Sequence, residues 1–131
     1  MSLFIPAVGE NKLLALMLGA GNQQLHFYTN DITPADADTA ASYTEANFSG
    51  YAAKTLTGSS WTIAQNANAV AEAAYAELSW TNAGSSQVIY GYYVTDATSG
   101  VLLWAERFSA SVTVMSGDVI KLTPKITLSK V

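Results

Sequence analysis

Hydrophobic and polar positions alternate most cleanly near the C-terminus. Ile120, Leu122, Pro124, Ile126 and Leu128 fall on one side of an extended chain, and Val119, Lys121, Thr123, Lys125 and Thr127 on the other. The first set is predicted to face a core and the second to be wet. Burying its four aliphatic residues is worth roughly 1.5–3 kcal/mol each before entropic costs. Pro124 has no N–H to donate, which predicts an edge position or a bulge. Upstream, Ala74–Thr81, Gln87–Asp96 and Val101–Phe108 read as strands, separated by turns at Asn82-Ala83-Gly84 and Ala97-Thr98-Ser99-Gly100. A further turn is expected at Met115–Asp118. Along Gln87–Asp96, Val88, Tyr90, Tyr92 and Val94 share one face, and Ile89, Gly91 and Tyr93 the other. Two apolar faces predict a central strand covered on both sides.

The first half is less regular. Gly9–Leu18 reads as a short helix, preceded by Pro6 and stopped by Gly19 and Gly21. Leu13, Leu16 and Met17 fall on one helical face, widened by Leu14 and Leu18. Such a helix is expected to pack on the domain's own sheet, docking on a neighbour being the alternative. Gln24–Asn30 is predicted as a strand with Leu25 and Phe27 opposite His26 and Tyr28. Asp31–Tyr51, rich in Asp, Thr, Ala and Ser, reads as a long surface loop with one short helical turn, a length that usually signals function. Thr55–Gln65 is expected to form two short strands around Gly58-Ser59-Ser60, and Asn66–Ala74 a loop running into a strand. These elements predict a mainly β fold: a single antiparallel β-sandwich or jelly-roll-like domain over residues 1–131, with an arm and short helix over 1–22, the sandwich over 23–131 and the long loop at 31–51.

Charge narrows the function. Only 12% of the residues are charged and the net charge is −4, well below the roughly 25% charged residues of an average domain. Such a surface suits contact with other protein. The six basic residues (Lys12, Lys54, Arg107, Lys121, Lys125 and Lys130) form no stripe of the kind nucleic acid requires. The apolar run Leu13–Leu18 is far shorter than the roughly 20 residues of a membrane span, and no basic cluster precedes it. Neither nucleic acid nor membrane is therefore expected as a partner, and synthesis in the cytoplasm is.

Catalytic chemistry has little to stand on. The chain has no cysteine, which excludes disulfides, thiolate metal sites and a Cys nucleophile. The single histidine, His26, is expected to be structural; Asp31 and Asp96 are conceivable acid partners that the sequence does not place. Asp36-Ala37-Asp38, with Asp31 and Glu45 nearby, lacks the ligand density and glycine of a calcium loop and reads as solvated. Glu72, Glu77 and Glu106 offer carboxylates without distinguishing features. Trp61, Trp80, Trp104, Tyr90, Tyr92 and Tyr93 lie at strand spacing, where core is the expected destination. No enzyme activity, cofactor or metal is expected.

The segments VIYGYYVTDATSGVLLWAERF (Val88–Phe108) and GDVIKLTPKITLS (Gly117–Ser129) resemble small virion-associated proteins of tailed bacteriophages. Pro6-Ala7-Val8-Gly9-Glu10 and LHFYTNDITPADADTAASYTEANFSGY (Leu25–Tyr51) extend the resemblance over most of the chain. It implies a non-enzymatic capsid decoration, or cement, protein on the virion. Its partners would be other copies of itself, a trimer being favoured, and the major capsid protein. A tail or tail-fibre component that binds a receptor or glycan through exposed aromatics is the alternative. The expected contact residues lie in the apolar segment Met1–Leu18 and the long loop: Leu3, Phe4, Ile5, Leu13, Leu16, Met17, Tyr43, Phe48 and Tyr51.

Overall fold

The computed structural model describes residues 3–128. Met1 and Ser2 of the expected arm, and Ser129 at the end of the expected scaffold, lie outside the described residues. The elements are one helix, α1 (Ala7–Gly19), and the strands β1 (Gln23–Tyr28), β2 (Lys54–Leu56), β3 (Thr62–Gln65), β4 (Ala71–Ala74), β5 (Leu78–Thr81), β6 (Gln87–Asp96), β7 (Leu102–Val114), β8 (Val119–Leu122) and β9 (Lys125–Leu128). The strands pair antiparallel in three sheets, ordered β2-β1-β6-β7, β3-β4-β9 and β5-β8. The fold is mainly β, with one short N-terminal helix, and is consistent with a β-sandwich.

β6 sits between β1 and β7, as its two apolar faces require. Ile89, Tyr92 and Val94 enter the main core with Leu25, Phe27, Trp80 and Ile120. Tyr93 packs with Tyr28 and Tyr43 in a second cluster, joined by Tyr90 at its margin. This partition differs from strict alternation, which puts Tyr90 with Tyr92 and Val94. The cause is a bulge: Ile89 pairs with Val112 but Gly91 with Arg107, so Tyr90 alone faces residues 108–111 of β7. The irregularity turns the strand over, and side chains on either side of it exchange faces. Only glycine fits next to it. A Cβ at Gly91 would stand 2.2 Å from the Glu106 carbonyl oxygen and 2.7 Å from the Tyr28 ring.

The segment Asp31–Tyr51 runs over the surface as expected, but it is pinned to the sheet at a few points. Tyr43, Ala46 and Phe48 are buried, and the backbone returns to the end of β1. There Thr29 N–H donates to Thr44 O, Ala46 N–H donates to Phe27 O, and Tyr28 bridges to Glu45. Gln87 Oε1 accepts the Asn47 and Phe48 N–H groups. The segment is a strap fastened to sheet β2-β1-β6-β7, with the expected helical turn present as a 3₁₀ turn at Ala40–Ser42.

Two expected strands are each divided. Ala74–Thr81 breaks into β4 and β5, and Val119–Leu128 breaks at Pro124 into β8 and β9. β8 pairs with β5 and β9 with β4, so the two breaks face each other. Pro124 cannot donate to a ladder, and its carbonyl accepts the Tyr75 N–H at the crossing. The expected strand Val101–Phe108 runs on to Val114.

α1 rests on β3 and β4. Its inward residues are Glu10, Leu14 and Leu18, and β4 presents the fully buried Ala71 and Ala73. The C-terminal end of the helix is clamped by the buried side chain of Gln23. Its Nε2 donates to Leu18 O (2.9 Å) and Gly21 O (3.0 Å), while its Oε1 accepts from Trp61 Nε1 (2.9 Å). One amide thereby satisfies one of the carbonyls that a helix end leaves unpaired, that of Leu18, together with the Gly21 carbonyl just beyond the cap.

Gly91→Ala is expected to cost about 2–3 kcal/mol, because the backbone of Glu106 cannot move aside as a side chain would. Gly19→Ala, where an added Cβ meets open space, is expected to leave stability nearly unchanged. Urea denaturation of the two variants checks both.

Candidate functional site

Two regions carry the residues singled out from sequence: the arm with α1, and the strap. In the first, Leu3 (88% exposed), Phe4 (73%) and Leu16 (59%) stand well out of the surface, and Ile5, Val8, Leu13 and Met17 are exposed with them. α1 does pack on the domain's own sheet, but through Leu14 and Leu18 and not through Leu13, Leu16 and Met17. The two stripes are neighbours on the helix, and the sheet takes only one of them. The strap residues behave differently. Tyr43 and Phe48 are each 6% exposed and Tyr51 is half-buried. Their expected role as partner contacts is corrected: they close the strap onto the sheet, Tyr43 stacking on Tyr93 at 5.0 Å and Tyr51 packing between Phe27 and Phe48.

His26 anchors the polar side of the strap. Its Nδ1 lies 2.6 Å from Glu45 Oε2 and its Nε2 3.0 Å from Thr95 Oγ1, and its ring stacks on Tyr93 at 4.6 Å. Tyr51 Oη donates to the same Glu45 oxygen (2.7 Å) and accepts the Phe27 N–H (3.2 Å). Asp31 and Asp96, the acids conceivable from sequence, serve elsewhere. Asp31 pairs with Arg107 at 2.6 Å. Asp96 accepts the Thr98 and Ser99 N–H groups of its own turn, and these hydrogen bonds hold its carboxyl below the usual range. Nothing in the sequence distinguishes Glu45 or Thr95, because their approach to His26 depends on the path of the strap and on strand register.

Hydroxyl, imidazole and carboxylate in a row have the order of a nucleophilic triad. Thr95, however, is only 5% exposed. The open depressions of about 370 and 390 Å³ border Asp38–Ala41 with Gly100–Leu102, and Pro34–Asp38 with Leu102–Ala105, away from Thr95 and His26. In this arrangement the row works as a clasp. Three further carboxylates are similarly engaged: Glu106 accepts from Tyr92 Oη (2.9 Å), Glu72 from Asn66 Nδ2 (3.0 Å), and Asp38 from Ala35 N–H and Tyr43 Oη. No group of three or more His, Asp or Glu side chains placed to hold a metal ion occurs among the described residues. Among the aromatics, Trp80 and Tyr92 are buried, and Tyr90 lies half-buried beneath the Arg107 guanidinium.

Burial and acceptor carboxylates also act on the tyrosines. Desolvation, reinforced by Glu45, pushes the Tyr93 phenol up to about 12. Burial raises Tyr28, Tyr43, Tyr51 and Tyr92 too, with hydrogen bonds to Asp38, Glu45 and Glu106 adding to the shift in the last three. No protein-family profile matches the chain, and no curated protein matches it.

Glu45→Ala is expected to lower stability by about 1–2 kcal/mol, since it strips His26 and Tyr51 of their acceptor at a partly exposed site. Thermal unfolding checks this. The tyrosines set an alkaline limit. Folding raises their pKa values above the unfolded value near 10, so their stabilising contribution is complete below about pH 10 and is lost as pH rises through the raised values, about 12 for Tyr93. Absorbance of tyrosinate, followed together with circular dichroism, should show Tyr28, Tyr43, Tyr51, Tyr92 and Tyr93 ionising late and in step with unfolding.

Proposed function

We propose that this chain is a non-enzymatic virion structural protein, a capsid decoration protein that seats on the phage head through its N-terminal arm and α1. The observation that carries the reading is the group of exposed apolar side chains between Leu3 and Met17, displayed on a strapped β body. Exposed apolar surface of this extent marks interaction sites. In residues 3–20 the only charged side chains are Glu10, which is buried, and Lys12. The sequence resemblance to small phage virion proteins supplies the setting, and the low overall charge suits repeated close contact in many copies. The burial of Trp80 and Tyr92 weighs against a glycan-binding tail component, because it takes away two of the aromatics such a platform would use.

Removing residues 1–5 leaves the Pro6 cap and α1 intact. It should reduce occupancy on purified phage heads several-fold, with the melting temperature unchanged. Quantitative mass spectrometry of particles incubated with each form measures it. Equal occupancy, or binding to tails and not heads, defeats the reading.

A further inference from the structure

We propose that the groove between the strap and the free edge of β7 takes an extended peptide of a partner protein, bearing a lysine or arginine, as an added strand. The groove is made of the two open depressions of about 370 and 390 Å³, which share Asp38 and Leu102 and so continue one another. One wall is the strap over residues 34–41, and the other is residues 100–105. The larger depression touches Leu103, Trp104 and Ala105 in succession. Successive strand residues point to opposite faces. A hollow that meets all three therefore follows the backbone of the strand and not one of its faces.

That backbone has open positions. Among the described residues β7 pairs with β6 alone, and every second residue of an antiparallel edge strand turns its N–H and C=O outward. The opposite edge of the same sheet is guarded. β2 has three residues, one of them Lys54, and short, lysine-bearing edges resist added strands. β7 has neither lysine nor proline in its 13 residues, and its two charged side chains are engaged, Glu106 by Tyr92 and Arg107 by Asp31. Irregularities next to Leu103 and over residues 108–111 limit the regular ladder to residues 104–107. An added strand is therefore short, roughly 13 Å along β7, and residues 100–103 carry the groove beyond it.

The side chains select a basic occupant. Asp36 is exposed and has no partner among the described residues. Asp38, whose Oδ2 accepts from Ala35 N–H and Tyr43 Oη, adds a second carboxylate. No lysine or arginine borders either depression. Val101 (58% exposed), Leu102 and Leu103 offer apolar contact across from the acids. An extended chain presents backbone and alternate side chains together, and strand addition uses the first for affinity and the second for specificity. The groove shares no residue with the arm or α1, so this inference stands apart from the virion reading.

The test uses the full chain, labelled with ¹⁵N, and synthetic hexapeptides as probes. The first peptide alternates valine and threonine except for one central lysine. The second has glutamate in place of the lysine. The third is the lysine peptide N-methylated at every second residue, made in both registers. The lysine peptide should shift the backbone amides of Leu102, Leu103, Trp104 and Ala105, and that of Asp36. It should bind several-fold more tightly than the glutamate peptide, and Asp36→Lys should reverse that order. Asp36 is exposed and unpaired, so this variant keeps its fold, which its amide spectrum verifies. One N-methylated register should lose binding, because it lacks the N–H groups that face β7. The proposal is overturned if the lysine peptide leaves these amides unmoved at millimolar concentration. It is equally overturned if the glutamate peptide binds as well, or if both N-methylated registers bind undiminished. Amides along β7 that respond to the protein's own concentration and not to peptide assign the edge to a second copy, and overturn it too. Removing residues 1–5 should leave peptide binding unchanged, so failure on phage heads and failure in the groove are separate results.

Discussion

The structure depends on burying both faces of β6. A strand with Ile89, Tyr92 and Val94 on one side and Tyr90 and Tyr93 on the other cannot leave either side in water. The main core covers the first face with Trp80 and Ile120 from the small β5-β8 sheet and Ala71 and Ala73 from β4. The second face has no sheet to cover it, and the strap supplies the missing layer. The strap is made mostly of small polar residues, so it adheres by a few aromatic anchors and by hydrogen bonds. Tyr43 stacks on Tyr93, and His26 holds Glu45. The row of hydroxyl, imidazole and carboxylate is a product of that requirement.

Gln23 performs the corresponding service for α1. A buried amide must have its hydrogen bonds met, and the geometry that meets these ones fixes the helix end relative to β1 and Trp61. The narrowness of the inward stripe is what matters for function. Three residues, two of them leucines, suffice to seat the helix on alanines, and Leu13, Leu16 and Met17 are left outside.

How much of this is legible in sequence differs by feature. β6 is read to its terminal residues because Gly, Asn, Asp and Ser clusters bound it and its interior is apolar throughout. The loop running into β4 is legible for a similar reason, despite alanines that favour helix. The bulge at Tyr90 is not legible, since one irregular position reassigns every side chain beyond it, and alternation holds no record of that. The surface path of the strap is legible but its anchoring is not, because its composition is that of a solvated loop; the signal for the anchoring is the aromatic series Tyr43, Phe48 and Tyr51, which a wet loop has little use for. In α1, periodicity reads Leu13, Leu16 and Met17 as one face widened by Leu14 and Leu18, and the structure divides that face in two. Which stripe turns inward is decided by the shape of β3 and β4, which lie more than 40 residues away in the chain.

The division at Pro124 bears on the order in which the molecule can be built. β8 and β9 are the last strands of the described chain, and they complete the pairings of β5 and β4 respectively. During synthesis, β4 and β5 emerge long before their partners and present open edges. The sheet β2-β1-β6-β7 can close earlier, once β7 has emerged. The small sheets wait for their C-terminal strands, and then both are secured within ten residues, Val119–Leu128, on either side of one rigid proline. Closure of long loops of this kind makes folding slow compared with local pairing, and it makes the emergence of Val119–Leu128 the event that completes the barrier to unwanted edge contacts.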